Sequence, residues 1–481
     1  MDVTRFRNKK VAVLGLGKAG KSAAAALSIG GAEVFAWDDN PDSRAALGTG
    51  SVEDTFLAES ITLQPPEKYP WSSISALVMS PGIPLTHPKP HPAVELAKKA
   101  NCPIICDIEL LFYSCRGPHY IGITGTNGKS TTTSLIGHIL QHAGMPCQVG
   151  GNIGIPALDL EPLWQGGAYV LEVSSYQLDL LHKAKFDISV LLNITPDHID
   201  RHGSMEGYIA SKKKIFSRQN AGDVAILGVD DPIVRKIHEE LVQAGNIGKV
   251  IPVSVKERID GGVSIIDGVL YNDIGTKDMF GVELGNLERL PGKHNAQNIA
   301  ASFATAYVLQ ITSDKIIDGI RTFQGLQHRL QLVGALQGVK FVNDSKATNA
   351  DAASHALGAY EKNIYWIAGG LPKEGGIESL ASYFPRIRHT FLIGQAQDAF
   401  AATLEGKVAY TKCGDLEKAF NEAAAMAIEN ARKEGKEAVV LLSPACASWD
   451  QWKNFEVRGE AFCSQAEQYI AEHNKPLLQE A

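Results

Sequence analysis

The stretch Gly122–Thr133, GITGTNGKSTTT, follows an apolar β-type run and carries a glycine-rich turn that ends in Lys-Ser-Thr. The parts come in the order strand, turn, helix. Glycines free backbone N–H groups to face an anion, Lys129 can reach outer phosphates, and the hydroxyls of Ser130 and Thr131 suit Mg2+. The strict G-x-x-x-x-G-K-[ST] spacing would need glycine at 123, where isoleucine stands, so the motif is the shorter Gly125-Thr126-Asn127-Gly128-Lys129-Ser130-Thr131. It reads as a site for ATP or GTP phosphates, with a bare surface turn as the alternative.

The same alternation of strand and helix extends outward in both directions. Upstream, VAVLG, AEVFAWDD and ALVMSPG alternate with KSAAAALSIG and HPAVELAKKA; around the loop stand AYVLEVSS, FDISVLLNIT and DVAILGVDD; downstream come KFVNDSKATN, NIYWIAGG, HTFLIGQA and EAVVLLSPACAS. Such βα patterning predicts open, mainly parallel sheets with helices on both faces. At about 100 to 200 residues per domain, 481 residues suggest about three α/β domains. The βα alternation places them at 1–106, 107–327 and 328–481, with linkers expected where the apolar periodicity breaks, at SCRGPHY and FQGLQHRLQ. No short repeat or low-complexity tract interrupts the pattern.

The composition is that of a soluble globular protein, with 44% hydrophobic and 21% charged residues. A net charge of -7 argues against general affinity for nucleic acid or a membrane surface, so any anionic ligand depends on local cations and helix ends. Seven cysteines without a CxxC pair read as reduced thiols. No apolar run reaches spanning length and the N-terminus lacks a signal core, which predicts a soluble cytoplasmic protein without membrane insertion.

GLGKAG (Gly15, Gly17, Gly20), with Asp38 and Asp39 about twenty residues further on, fits a dinucleotide fingerprint or a tight turn without ligand. Glu172 in YVLEVSS and Asp197, His198 and Asp200 in NITPDHIDRH stand at strand ends, where ligands collect in open α/β sheets. Taken singly, Glu172 is also compatible with a structural pair and Asp-His-x-Asp with a helix cap. NDSKATN, GGLPKEGG and SPACASWDQWKNFEVRG combine lysine, hydroxyls and glycine beyond later strands, suited to carboxylate or phosphate recognition.

Together with SPGIP, GGNIG and GKHNAQN, these motifs make the chain similar to the Mur ligases over nearly its whole length, SPACASWDQWKNFEVRG being the most specific. The branch it most resembles adds D-glutamate to UDP-N-acetylmuramoyl-L-alanine. The resemblance implies a Rossmann-like UDP-binding domain, a central P-loop ATPase domain and a C-terminal Rossmann-like domain for the amino acid. Two glycine loops would then serve two different phosphate-bearing ligands. It implies Lys18, Ala19, Asp38, Asp39, Gly82 and Asn152 around the UDP-sugar. ATP would meet Gly125, Thr126, Asn127, Gly128, Lys129, Ser130 and Thr131, with Asn295, Asn298, Arg329 and Asp344 completing its site. Thr348, Lys373, Ser448 and the backbone amide of Phe455 would hold D-glutamate. Where relatives often carry Thr-Arg after the UDP aspartate, this chain has Asp39-Asn40.

Lys212, in YIASKKKIF on a helix beginning near Ser204, reads from spacing alone as part of a basic solvated face with Lys213 and Lys214. The resemblance instead implies a lysine carbamylated by CO2, an oxygen ligand for Mg2+. It further implies two Mg2+ sites, one at Ser130, Thr131 and Glu172 and another at His198 and carbamylated Lys212, in a monomeric ligase. A dehydrogenase would explain GLGKAG but not the central loop; a nucleotide-dependent regulator would explain the loop but not the acids, histidine and third-segment motifs.

Overall fold

Short β-branched runs become the strands of three sheets in the computed structural model, which describes residues 1–47, 60–275, 280–285, 287, 289–290, 293–372 and 375–474. The first sheet contains β1 (Lys10–Leu14), β2 (Glu33–Trp37), β3 (Ile61–Leu63), β4 (Ile74–Met79) and β5 (Ile104–Ile105), all parallel in the order β3-β2-β1-β4-β5. Gly20, at the start of the helix Lys18–Ile29, has no room for a side chain, because a Cβ there would collide with the Gly15 carbonyl. That close approach seats the helix on the loop that precedes it.

The central sheet has nine strands: β6 (His119–Thr124), β7 (Cys147–Gly151), β8 (Ala168–Glu172), β9 (Ile188–Leu191), β10 (Val224–Gly228), β11 (Lys249–Ser254), β12 (Val263–Ile266), β13 (Val269–Asn272) and β14 (Phe280–Glu283). They lie in the order β14-β13-β12-β11-β10-β9-β6-β8-β7, parallel from β7 through β12 and antiparallel beyond it. β6 sits between β8 and β9, pairing Ile123 with Glu172 and Thr124 with Leu191. The loop at 125–128 is thereby flanked by the two strand ends that carry the candidate acids.

The third sheet holds β15 (Gln331–Leu336), β16 (Val339–Asn343), β17 (Ile364–Gly369), β18 (Ile387–Ile393), β19 (Tyr410–Gly414) and β20 (Ala438–Leu442) in the order β15-β16-β20-β17-β18-β19. Its edge hairpin β15-β16 is antiparallel and the rest parallel. Successive residues alternate between its faces. Val342, Trp366, Leu392 and Leu441 enter one hydrophobic core, while Phe341, Tyr365, Phe391 and Val440 enter another. Both faces are covered, which is why these strands are continuously apolar in sequence.

The chain divides into two compact units, Met1–Gly285 with Lys293–Phe323, and Asn286–Gly292 with Gln324–Ala481. The first unit contains the first two sheets, and one buried apolar cluster runs through it from Val3 to Ile247. Glu109, fully buried between these sheets, accepts the backbone N–H groups of His182, Lys183 and Ala184 at 3.0, 2.8 and 2.9 Å. Three donors on one carboxylate satisfy a charge that burial would otherwise make costly.

Candidate active site

The turn after β6 forms the N-terminus of the helix Lys129–His142, with Gly128 as its cap in a left-handed conformation (φ +85°). The cap needs glycine for φ and for space, since a Cβ would strike the Asn298 amide oxygen. Asn298 is buried on the helix Lys293–Val308; its Oδ1 accepts from Thr132 Oγ1 (3.2 Å), and its Nδ2 donates to Asn295 Oδ1 (2.9 Å). Asn193, which sequence reading passed over, holds the other side of the loop. Its Oδ1 accepts from the Asn127 N–H (2.8 Å), while its Nδ2 donates to Asn127 O (3.2 Å) and Gln297 Oε1 (3.0 Å). The Lys129 ammonium is folded onto the carbonyls of Gly125 (2.9 Å) and Thr126 (2.7 Å). Ser130 is buried and Thr131 partly exposed. The result is a preformed cradle of N–H groups at a helix N-terminus, suited to a polyphosphate.

Lys212 is not on a solvated face. Only 1% exposed, near the end of the helix Met205–Lys213, it donates through Nζ to the Gly125 carbonyl at 2.8 Å and lies 4.7 Å from the Tyr208 ring centroid. Burial, reinforced by the neighbouring Lys129 charge, pushes its pKa down to about 6. Burial thus favours the uncharged amine, the nucleophilic form. Lys213 and Lys214 instead make surface ion pairs with Glu240 and Asp179. Tyr208 also reaches the loop, its hydroxyl 3.1 Å from Thr126 Oγ1.

Glu172 is buried at the end of β8. Its Oε1 accepts from Asn152 Nδ2 (2.9 Å), whereas its Oε2 is buried without a partner. A buried carboxylate oxygen left unsatisfied fits a hard cation, so these residues suit Mg2+. Asn152 is held twice by Glu172, through its side chain and by its N–H on the Glu172 carbonyl (2.9 Å). His198 caps the short helix Ile199–His202 with φ +51°; half-exposed, it stands 3.4 Å from Asp197 Oδ2 and packs near Tyr176. Among the described residues no group of three or more His, Cys, Asp and Glu side chains could hold a metal ion by itself. A cation here therefore draws on other oxygens as well.

A cavity of about 460 Å³ opens at the end of the first sheet, lined by Gly15, Lys18, Ala19, Asp38, Asp39 and Gly82, together with Ser80 and His91, which sequence reading did not single out. The Asp38 carboxylate bridges two loops, accepting from the N–H groups of Leu16 (2.6 Å) after β1 and Asn40 (2.8 Å) after β2. Asn152 is not among the cavity's lining residues.

In the second unit, the Asp344 carboxylate is buried at the end of β16, accepting from Ser443 Oγ (2.8 Å) and the Leu330 N–H (3.2 Å). Burial pushes its pKa up to about 7 against the pull of Arg329. Thr348 lies on the loop after Asp344, its N–H on the Lys346 carbonyl (2.8 Å). Ser448 is buried, and Phe455 opens the helix Phe455–His473, where the first N–H groups have no intrahelical partner. Buried Arg458, unremarked within NFEVRG, ties these loops together by donating to Ser345 O (2.9 Å), Ser345 Oγ (3.0 Å) and Cys446 O (3.2 Å). Lys373 lies outside the described residues.

Residues 123–306 match the Mur ligase middle domain and residues 328–446 the Mur ligase glutamate ligase domain. Proteins named UDP-N-acetylmuramoylalanine--D-glutamate ligase from Caulobacter sp. (strain K31) and Caulobacter vibrioides (strain NA1000 / CB15N) are 49% and 48% identical to this chain over 468 residues. The alignments cover 96% of this chain and 97% and 96% of those proteins. The solved UDP-N-acetylmuramate-alanine ligase MurC from Thermotoga maritima shares the fold, with a TM-score of 0.56 at 14% identity over 96% of this chain and 100% of that one. Sequence relatives at 49% and 48% identity thus span nearly all of the chain that carries the glycine cradle, the buried lysine and the unsatisfied glutamate, and the chain belongs to the Mur ligase family.

Proposed function

We propose that this chain is an ATP-dependent ligase that adds D-glutamate to UDP-N-acetylmuramoyl-L-alanine in cytoplasmic synthesis of peptidoglycan precursors. The observation that carries this reading is the 49% identity, along nearly the whole chain, to a ligase named for that reaction. A carboxylate is a poor acyl donor. In the first step an oxygen of the L-alanyl carboxylate forms a bond to the γ-phosphorus of ATP as the bond to the ADP oxygen breaks. In the second, the D-glutamate amine attacks the acyl carbon, its extra proton is lost, and phosphate departs with the acyl–oxygen bond.

Lys129 exchanges the loop carbonyls for phosphate oxygens, and the N–H groups of 125–131 hold the nucleotide with Asn295 and Asn298. Bound Mg2+ supplies neutralisation of the charge on the phosphoryl oxygens. Ser130, Thr131 and Glu172 would hold one ion; His198 and Lys212, as its carbamate, would hold a second. The depressed pKa of Lys212 supports that modification, because CO2 adds to an uncharged amine. His198 acts as ligand or orienter rather than base. Lys18, Ala19, Asp38, Asp39, Gly82 and Asn152 surround the UDP-sugar, and Thr348, Lys373, Ser448 and the Phe455 amide take D-glutamate. The enzyme works as a monomer with domains 1–106, 107–327 and 328–481.

Release of ADP and phosphate, measured with each substrate omitted in turn, tests the reading. Full turnover is expected only with UDP-N-acetylmuramoyl-L-alanine, D-glutamate, ATP and Mg2+ together. Equal turnover with L-glutamate or meso-diaminopimelate would refute the branch.

A further inference from the structure

The first cavity meets solvent at Asp39, which follows Asp38 on its wall. Asp38, the first acid after β2, spends one carboxylate oxygen on the Leu16 N–H of the glycine loop after β1 and the other on the Asn40 N–H of its own loop. Asp39 is the next acceptor on the cavity wall. Its carboxylate is largely exposed, and an exposed aspartate is ordinarily free to rotate; here it is clamped at both oxygens. Trp37 Nε1 donates to Oδ1 at 3.1 Å, and His91 Nε2 stands 3.0 Å from Oδ2. Arg44, stacked 4.3 Å from the Trp37 ring centroid, donates to the Asp39 carbonyl at 3.0 Å and fixes the backbone as well.

The His91 tautomer follows from its second bond. As N-cap of the helix Pro92–Lys99, its Nδ1 accepts the Ala93 N–H at 3.1 Å, so the neutral ring carries its proton on Nε2 and donates it to Asp39. Each Asp39 oxygen keeps a further lone pair. A uridine nucleotide presents donors that match, the uracil N3–H and the ribose hydroxyls.

We propose that His91 is a positioning residue for uridine recognition, holding the Asp39 carboxylate as a fixed acceptor for the nucleoside end of the substrate. The inference rests on the reading of this cavity as the UDP-substrate site. It assigns to His91 and Trp37 the ordering of the Asp39 carboxylate.

The test uses UDP itself as probe, titrated calorimetrically against the full chain. His91→Asn keeps a side-chain acceptor for the helix cap but is too short to reach Asp39, so the melting temperature should hold. UDP affinity should fall about tenfold, the size of one hydrogen bond to a charged group. In turnover, KM for the UDP substrate should rise with kcat and KM for ATP unchanged. Asp39→Asn should weaken UDP similarly, and the double variant little further, because the two act as one unit. The parent's preference for UDP over its 2′-deoxy or its N3-methyl analogue identifies the donor, and His91→Asn should erase that preference. UDP affinity in His91→Asn within twofold of the parent, or additive losses in the double variant, would overturn the inference. A parent that does not bind UDP would overturn the cavity assignment itself.

Discussion

At the scale of single residues, the site depends on ionisable groups removed from water. Lys212 is buried beside Lys129, and its neighbours in sequence are surface cations. Lys212→Ala is therefore expected to lose at least about a hundredfold in kcat, in the range for removal of a transition-state contact. Formate or acetate should restore part of it by supplying the missing carboxylate. Lys213→Ala and Lys214→Ala, which break only surface pairs, should stay close to the parent. Full activity of Lys212→Ala without added carboxylate would contradict the carbamate. Asp344 offers a test by titration. Its folded pKa is raised to about 7 from 3.8, so between about pH 4 and 7 the folded state binds more protons than the unfolded one, and this group lowers stability as pH rises through that window. Asp344→Asn removes the titration. Its stability relative to the parent should grow from pH 4 to 7 in denaturant titrations without nucleotide, and a flat difference would contradict the assigned shift.

Elements deliver these residues to one place because β8, β6 and β9 are adjacent and parallel, so their carboxyl ends share one edge. The helix Lys129–His142 begins where a left-handed glycine makes the turn tight enough to expose its first N–H groups. Gly128→Ala should cost about 1–3 kcal/mol for the forbidden φ alone. It should also displace Asn298 from Thr132. A lower melting temperature together with a higher KM for ATP is expected. A variant with parental stability and ATP affinity would show that the cap conformation is not needed.

For the molecule as a whole, the apolar cluster from Val3 to Ile247 joins the first two sheets into one cooperative body, while the third sheet has cores of its own on both faces. Differential scanning calorimetry should accordingly resolve two transitions rather than three. UDP should raise the one that contains the first and central sheets, since ligands stabilise the state they bind by mass action. Separate melting of the first sheet from the central one would contradict a shared core.

The sequence by itself determined the α/β class, the three sheets and the phosphate turn, because strand alternation, glycine punctuation and loop chemistry are local patterns legible within a few residues. It also placed Glu172 and the Asp-His-x-Asp loop at strand ends. Only the tertiary structure decided that Lys212 is buried while Lys213 and Lys214 are not, since spacing within KKK is the same for all three and burial depends on which side faces Gly125. It likewise brought Asn193 to the loop, set Asn152 on Glu172, and joined His91 to Asp39 across 52 residues. Such pairings arise where strand ends from distant parts of the chain meet, and their energies come from desolvation and long-range hydrogen bonds that no local periodicity encodes.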